Sequence, residues 1–135
     1  MNTTLNAEKV ADYTLMLCDA LYMDLKNQQI RLHQRSLSHE INMDYHRKRI
    51  EEITNHGPDA EFFFRTGKRY YKLIMRDSGG QKSVHAFIDR ETGDVYKPAS
   101  WKGPVKDARY CIANEYDREW LYQNADWAGK YLYLK

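Results

Sequence analysis

The sequence NHGPDA, residues 55–60, separates two parts of the chain that have different hydrophobic periods. A helix that reaches this point must end here, because Gly57 is suited to a helix C-terminus and Pro58 cannot continue the helix. Before it, apolar residues recur at helical spacing, and after it aromatic and β-branched residues predominate. The change predicts an α+β fold, with residues 1–57 forming a helical part and residues 58–135 an antiparallel sheet part.

The helical part begins with an amphipathic pattern. One stripe carries apolar or small residues, while acidic residues fall elsewhere; the stripe residues are Val10, Thr14, Leu17, Cys18, Leu21 and Leu25. A second helix follows a polar stretch, with Ser36 or Ser38 as its cap. The pattern therefore predicts a helical pair, or one long helix with a weak break near residues 34–38.

The sheet part is divided by turn residues into segments of strand length. We expect strands near 61–65, 69–76, 82–88 and 94–97, arranged as an antiparallel meander. The sequence DRETG predicts a tight hairpin turn in which Gly93 has a positive φ. A short helix near 117–124 and a terminal strand over YLYL follow, and the N-terminal helix is expected to cover one face of the sheet.

Composition indicates one ordered domain over residues 1–135. The chain is 42% apolar with 11 tyrosines, and its net charge is only +2, which argues against general binding to duplex DNA. Cys18 and Cys111 are far apart and predict reduced thiols. The N-terminus has no signal-peptide pattern, and no stretch reaches the length of a membrane span, so a soluble cytoplasmic protein without membrane contact is expected.

Sequence motifs of catalysis are missing from this chain. It contains no nucleophile elbow, phosphate-binding glycine loop, HExxH or CxxC. Its histidines show no metal-ligand spacing, and His85 is expected in a strand, facing either side. We therefore expect a non-catalytic binding protein with no metal and no cofactor.

Residues 96–110, YKPASWKGPVKDARY, combine cations, a hydroxyl and a flat ring in a segment restricted by two prolines. The candidate ligand-binding residues are Lys97, Ser100, Trp101, Lys106 and Arg109, the last expected on a helical turn. Such groups suit a ligand that carries phosphates and a base. The alternative is architectural: Trp101 would cover the sheet edge, and Arg109 would pair with Asp107 or another acid.

Three stretches, GKRYYKLIM, SVHAFIDRETGDVYKPASWKGPVKDARY and NADWAGKYLYL, resemble small bacteriophage and prophage proteins with a TGDVYKPASW and DWAG-YLY signature. Among proteins of this style is the Thoeris anti-defence sponge family, first type, which has a helical part joined to a small antiparallel sheet. The resemblance covers roughly residues 67–134, and the helical part is similar only in kind.

The resemblance implies an anti-defence function in the cytoplasm of an infected host cell. Members of the sponge family bind cyclic ADP-ribose isomers made by TIR proteins, and some also bind cyclic oligonucleotides, without cleavage. The five candidate residues would then contact the ligand, and Arg31 or Arg35 could join them.

An oligomer is expected through the N-terminal helices, because Leu15, Met16, Tyr22 and Met23 lie off the main apolar stripe.

Two other functions stay open. The chain could inhibit a host factor through a protein or nucleic-acid interface, using HRKR at 46–49 and the side chains of Tyr70, Tyr71 and Tyr116. A small hydrolase of cyclic nucleotides is the third possibility, but no histidine or acid has the spacing of a known catalytic device.

Overall fold

The computed structural model describes the backbone of residues 3–133 and the side chains of residues 8–133. It has the predicted α+β architecture. The elements in chain order are α1 (Thr3–Ser38), α2 (Met43–His56), β1 (Ala60–Thr66), β2 (Tyr70–Asp77), β3 (Lys82–Asp89), β4 (Asp94–Tyr96), β5 (Tyr110–Cys111), α3 (Glu115–Asn124) and a 3₁₀ turn (Lys130–Leu132).

The helical pair is confirmed, but the break between the helices lies after the predicted position. It occupies residues 39–42, where Glu40 and Asn42 have φ values of 57° and 44°. Ser36 and Ser38 do not cap α2, because their hydroxyls donate to carbonyl oxygens of the preceding turn of α1. None of the described helices is long and apolar enough to cross a lipid bilayer.

The sheet is an antiparallel meander with strand order β1-β2-β3-β4-β5. The hairpin between β3 and β4 turns as predicted: the Asp89 carboxylate accepts the N–H groups of Glu91 and Thr92 at 2.9 and 3.0 Å, and Gly93 has φ +82°. The fifth strand, β5, was not predicted. Its Tyr110 pairs with Val95 of β4.

Two local predictions were wrong. The segment before β5 is a loop rather than a helical turn, so Arg109 directly precedes a strand. The predicted terminal strand is a 3₁₀ turn over Lys130–Leu132, followed by Tyr133, and Leu134 lies outside the described residues. Gly129, with φ +83°, directs the chain into this turn and away from an extended path.

The core lies between α1 and one face of the sheet. Leu17 and Leu21 of α1 are fully buried and belong to one cluster with Leu73, Ala86 and Ile88 of the sheet. The predicted stripe is therefore the buried face of α1. Thr14 fits there because its hydroxyl donates to the Val10 carbonyl at 2.8 Å. The two cysteines are free thiols, as predicted.

A β-bulge in β3 determines where His85 lies. Leu73 pairs with Ala86 and Ile74 pairs with Val84, so His85 is an extra residue with no partner on β2. Its ring contacts the Phe62 ring edge-on, with 5.8 Å between centroids, and it also meets Tyr131. The bulge thus connects the sheet to the C-terminal segment, which we define as residues 125–133.

Candidate ligand-binding site

The C-terminal segment is held in a fixed path by its own carboxylate and by α1. The Asp126 carboxylate accepts the N–H groups of Lys130 and Tyr131, each at 3.2 Å. The N–H of Trp127 donates to the Asp24 carboxylate of α1 at 2.9 Å. These bonds fix the backbone on the N-terminal side of Tyr133, which is 62% exposed.

Arg109 and Tyr110 connect the same segment to the sheet. Arg109 donates from Nε to the Leu132 carbonyl at 2.7 Å and from Nη1 to the Asp107 carbonyl at 2.8 Å. The Tyr110 hydroxyl donates to the Tyr131 carbonyl at 2.8 Å. Within the described chain, Nη2 of Arg109 donates to no other group, so this nitrogen is available to an acceptor from outside.

Beside these contacts lies a groove with a volume of about 750 Å³, which we call the aromatic groove. Its aromatic lining consists of Tyr110, Tyr116, Trp120, Tyr131 and Tyr133, and Arg109 and Asp117 also contribute. Tyr110 and Trp120 are stacked, with centroids 5.0 Å apart and planes inclined by 20°. Asp117 accepts the N–H of Cys111 at 2.8 Å, so the one carboxylate in the lining already has a partner.

Lys97 lies on the other side of Tyr133. Its Nζ is 4.8 Å from the centroid of the Tyr133 ring, a cation–π distance. Lys97 and Tyr133 also line a second cavity of about 350 Å³, together with His85 and Trp127. Tyr133 therefore belongs to both cavities and separates the Lys97 side from the Arg109 side.

The electrostatics of this region favour neutral rings beside the cations. Burial lowers the pKa of His85 to about 4, although the nearby Asp126 carboxylate opposes the shift. Burial also raises the pKa of Tyr131 well above its ordinary value, and it raises that of Tyr110, where Asp117 adds to the effect. His85 and these tyrosines are consequently uncharged at neutral pH, and Arg109 and Lys97 supply the positive charge.

The structure brings together two of the five predicted site residues. Lys97 and Arg109 flank Tyr133, whereas Trp101 lies beside β2, with Lys72 Nζ 4.3 Å from its ring centroid. The Ser100 hydroxyl accepts the N–H of Lys102 at 3.2 Å and shapes its own loop. Lys106 is exposed in the loop before β5.

The basic residues of the helices lie apart from the groove. Arg31 and Arg35 are exposed on α1 and line neither cavity beside Tyr133. In the HRKR sequence, Arg49 binds Glu52 at 2.6 Å and Asp59 at 2.9 Å. His46 contacts His33 of α1, with 2.6 Å between their Nδ1 atoms. Arg47 also pairs with Asp44 of α2 at 3.7 Å, so three of the four residues of this basic run have partners within the described structure.

Tyr133, Trp120 and Tyr110 were missed as site residues. The YLYL alternation predicts a strand and therefore places its tyrosines in a sheet. The available signal was compositional, because DREWLY and YLYL place aromatic residues in two short segments that flank a Gly.

A family model matches residues 1–134, which is nearly the whole chain. The chain belongs to DUF7717. This is a family of unknown function. No curated protein and no solved structure matches the chain. The chemistry of the groove in this DUF7717 protein therefore follows from its own residues.

Proposed function

We propose that this protein binds and sequesters a nucleotide of the cyclic ADP-ribose type at the aromatic groove, without cleaving it. The observation that carries the proposal is the position of Arg109. Its Nε and Nη1 are fixed on backbone carbonyls, which orients the guanidinium, while Nη2 stays available beside a wall of aromatic rings. A preorganised cation next to flat rings suits a ligand that carries both phosphate and base.

The parts of such a ligand match different groups of the groove. A pyrophosphate would accept from Arg109 and could extend toward Lys97 around the edge of Tyr133. An adenine ring would stack on Tyr133 or Trp120, which are 62% and 37% exposed. Tyr110 would support Trp120 from behind through their stacked contact.

Binding without turnover is supported by the state of His85. Its Nε2 is 2.7 Å from the Tyr131 hydroxyl, and its pKa of about 4 leaves it uncharged at neutral pH. A histidine with so low a pKa is a poor general base, since a catalytic base works best with a pKa near the operating pH. The finer identification, an anti-defence sponge of phage origin, is supported by the TGDVYKPASW and DWAG-YLY resemblance.

Assembly through α1 is part of the same proposal. Leu15, Met16 and Met23 are 54%, 51% and 47% exposed on the side of α1 that faces away from the sheet. Tyr22 does not share this role, because its hydroxyl packs over Gly57 at the end of α2. With the exposed Asp19 between them, these residues form a short, mainly apolar strip suited to a second copy of α1.

The direct test is recovery of the ligand. The protein is incubated with a cyclic ADP-ribose, separated from free ligand, and denatured by heat, and the released compound is identified by mass spectrometry. Intact ligand from the parent and much less from Tyr133→Ala is the expected result. Release of a linear product would instead indicate a hydrolase, and a parent protein that retains no ligand would contradict the proposal.

A further inference from the structure

The face of the sheet opposite α1 carries a row of side chains that the groove does not use. Arg65 pairs with Lys72, Lys72 with Phe87, and Phe87 with Tyr96 across β1 to β4. Directly paired residues point to the same face, so these four side chains lie side by side. Lys68, Arg69 and Lys102 join them from the β1–β2 turn and the Trp101 loop around a concavity of about 320 Å³. We call this surface the basic sheet face.

Cations and rings alternate on the basic sheet face. Lys72 Nζ is 4.3 Å from the Trp101 ring centroid and 5.8 Å from that of Phe87. The Arg69 guanidinium is 5.1 Å from the Tyr70 centroid. Phe87 is buried and lines the concavity, whereas Trp101 is 41% exposed and lies beside it over Lys72, so Trp101 presents the accessible ring. A flat exposed ring beside several cations is the arrangement that binds a base and its phosphate.

The charge of this surface is unfavourable for folding. Like charges placed directly opposite each other in a sheet are destabilising, yet Arg65 faces Lys72. The concavity has five cationic side chains in its lining and no carboxylate among the residues that line it. Asp89 nearby is already engaged, since it accepts from Arg69 at 3.4 Å and from two backbone N–H groups. An anionic ligand would relieve the repulsion.

The β1–β2 turn that presents Lys68 and Arg69 is held in place from behind. Arg90 donates from Nη1 to the Gly67 carbonyl at 2.7 Å, and its own N–H donates to the Arg69 carbonyl at 2.9 Å. The Gly67 N–H donates to the Tyr70 carbonyl at 2.9 Å. The turn is therefore ordered before any ligand arrives, which lowers the entropic cost of binding.

We infer that the basic sheet face binds single-stranded nucleic acid, with phosphates on Lys68, Lys72 and Lys102 and a base on Trp101. The concavity has room for about one nucleotide rather than a duplex. The modest net charge of +2 agrees with a local site instead of general affinity for duplex DNA. This surface shares no residue with the aromatic groove, so it stands independently of the proposed function.

Fluorescence anisotropy with a labelled oligothymidylate of about 12 nucleotides tests the inference. Lys68→Gln combined with Lys102→Gln removes two exposed charges from the face, and Lys9→Gln combined with Lys48→Gln removes two exposed charges elsewhere. The first pair should weaken binding about tenfold or more and reduce the slope of log K against log salt by about 1.4, at about 0.7 for each lost phosphate contact. The second pair should change the affinity less than about twofold.

Variants of Trp101 distinguish binding that includes base stacking from binding by charge alone. Trp101→Ala should weaken binding about tenfold, whereas Trp101→Phe, which keeps a flat ring, should retain most of the affinity. The inference would be overturned by an equal loss of affinity in the two double lysine variants or by an unchanged affinity of Trp101→Ala. Failure of the parent protein to bind at low salt would overturn it as well. A duplex or a polyglutamate that binds as tightly as the single strand would overturn it too, and polyglutamate binding would indicate an acidic protein partner.

Discussion

His85 Nε2 and the hydroxyl oxygen of Tyr131 are 2.7 Å apart, although the two residues are 46 positions apart in sequence. This hydrogen bond joins the bulge of β3 to the C-terminal segment in a buried environment. The same segment supplies the Leu132 carbonyl that orients Arg109. The bond therefore links the core of the sheet to the segment that orients Arg109 in the aromatic groove.

The buried histidine should make the protein sensitive to acid. The pKa of His85 is about 4 in the folded protein, against an ordinary value of 6.5, so the unfolded chain takes up a proton at higher pH. Its contribution to stability is fully present above about pH 6.5 and is lost as the pH falls toward about 4, by about 3 kcal/mol in all.

The measurement is the free energy of unfolding against pH for the parent and for His85→Gln, which cannot titrate. The other ionisable residues are common to both proteins, so the difference between the curves reports the contribution of His85. The parent should lose more stability than the variant between pH 6.5 and 4. Parallel curves would contradict this prediction.

Tyr131→Phe should destabilise the fold by about 1 to 3 kcal/mol, because it leaves the buried Nε2 of His85 without its partner. Tyr133→Phe removes the same hydroxyl from an exposed ring and should cost less than about 0.5 kcal/mol. Chemical denaturation of the two variants gives the comparison. Similar losses of stability in the two variants would mean that the buried hydrogen bond contributes little to the free energy of unfolding.

Gly93 in the β3–β4 turn and Gly80 in the β2–β3 turn provide a matched pair of positions for Gly→Ala substitution. Their φ values are +82° and +83°, so Gly→Ala introduces the same backbone strain, about 1 to 2 kcal/mol, at each. A Cβ at position 93 would also lie 2.9 Å from Ala113, whereas position 80 has nothing within 4 Å. Gly93→Ala should therefore lower the melting temperature clearly more than Gly80→Ala. Equal shifts would show that Ala113 moves aside freely.

The sequence predicted the elements whose periodicity is strong and local. The stripe of α1 is determined by burial against one partner, and the first four strands are bounded by turn residues with few conformational choices. The two failures have different causes. β5 has only two residues, and the YLYL alternation is typical of a strand, but Gly129 and the Asp126 carboxylate fold that segment into a turn.

The candidate site was predicted only in part, because closeness in sequence does not ensure closeness in space. Lys97 and Trp101 are four positions apart, yet Lys97 contacts Tyr133 and Trp101 contacts Lys72 of β2. The bridge between Pro98 and Pro104 closes the intervening loop and separates them. The role of Tyr133 depends on its position between Lys97, which follows β4, and Arg109, which precedes β5, and no local pattern encodes this position.

The exposed strip on α1 should mediate self-association. Met16 and Met23 are seven residues apart and so lie on nearly the same side of the helix. Replacing both with Glu should shift the protein toward monomer in sedimentation equilibrium at micromolar concentration, with an unchanged circular dichroism spectrum. A parent that is already monomeric would contradict the prediction, and replacing the exposed Glu51 of α2 with Gln is the control.

Arg109 both orders the C-terminal segment and offers Nη2 to a ligand, so its removal should affect stability and binding together. Arg109→Ala loses the bonds to the Leu132 and Asp107 carbonyls as well as the free donor. Arg109→Lys keeps the charge but loses the planar fork, and it should bind a cyclic ADP-ribose about tenfold to a hundredfold more weakly, equivalent to about 1.5 to 3 kcal/mol.

Tyr133→Ala makes the complementary change, because it removes an exposed ring while leaving the Arg109 bonds in place. Calorimetric titration and thermal melting of the three variants beside the parent should give weakened binding in all three and a lowered melting temperature chiefly in Arg109→Ala. Unchanged affinity in both Arg109→Lys and Tyr133→Ala, with unchanged melts, would remove the aromatic groove as the binding site.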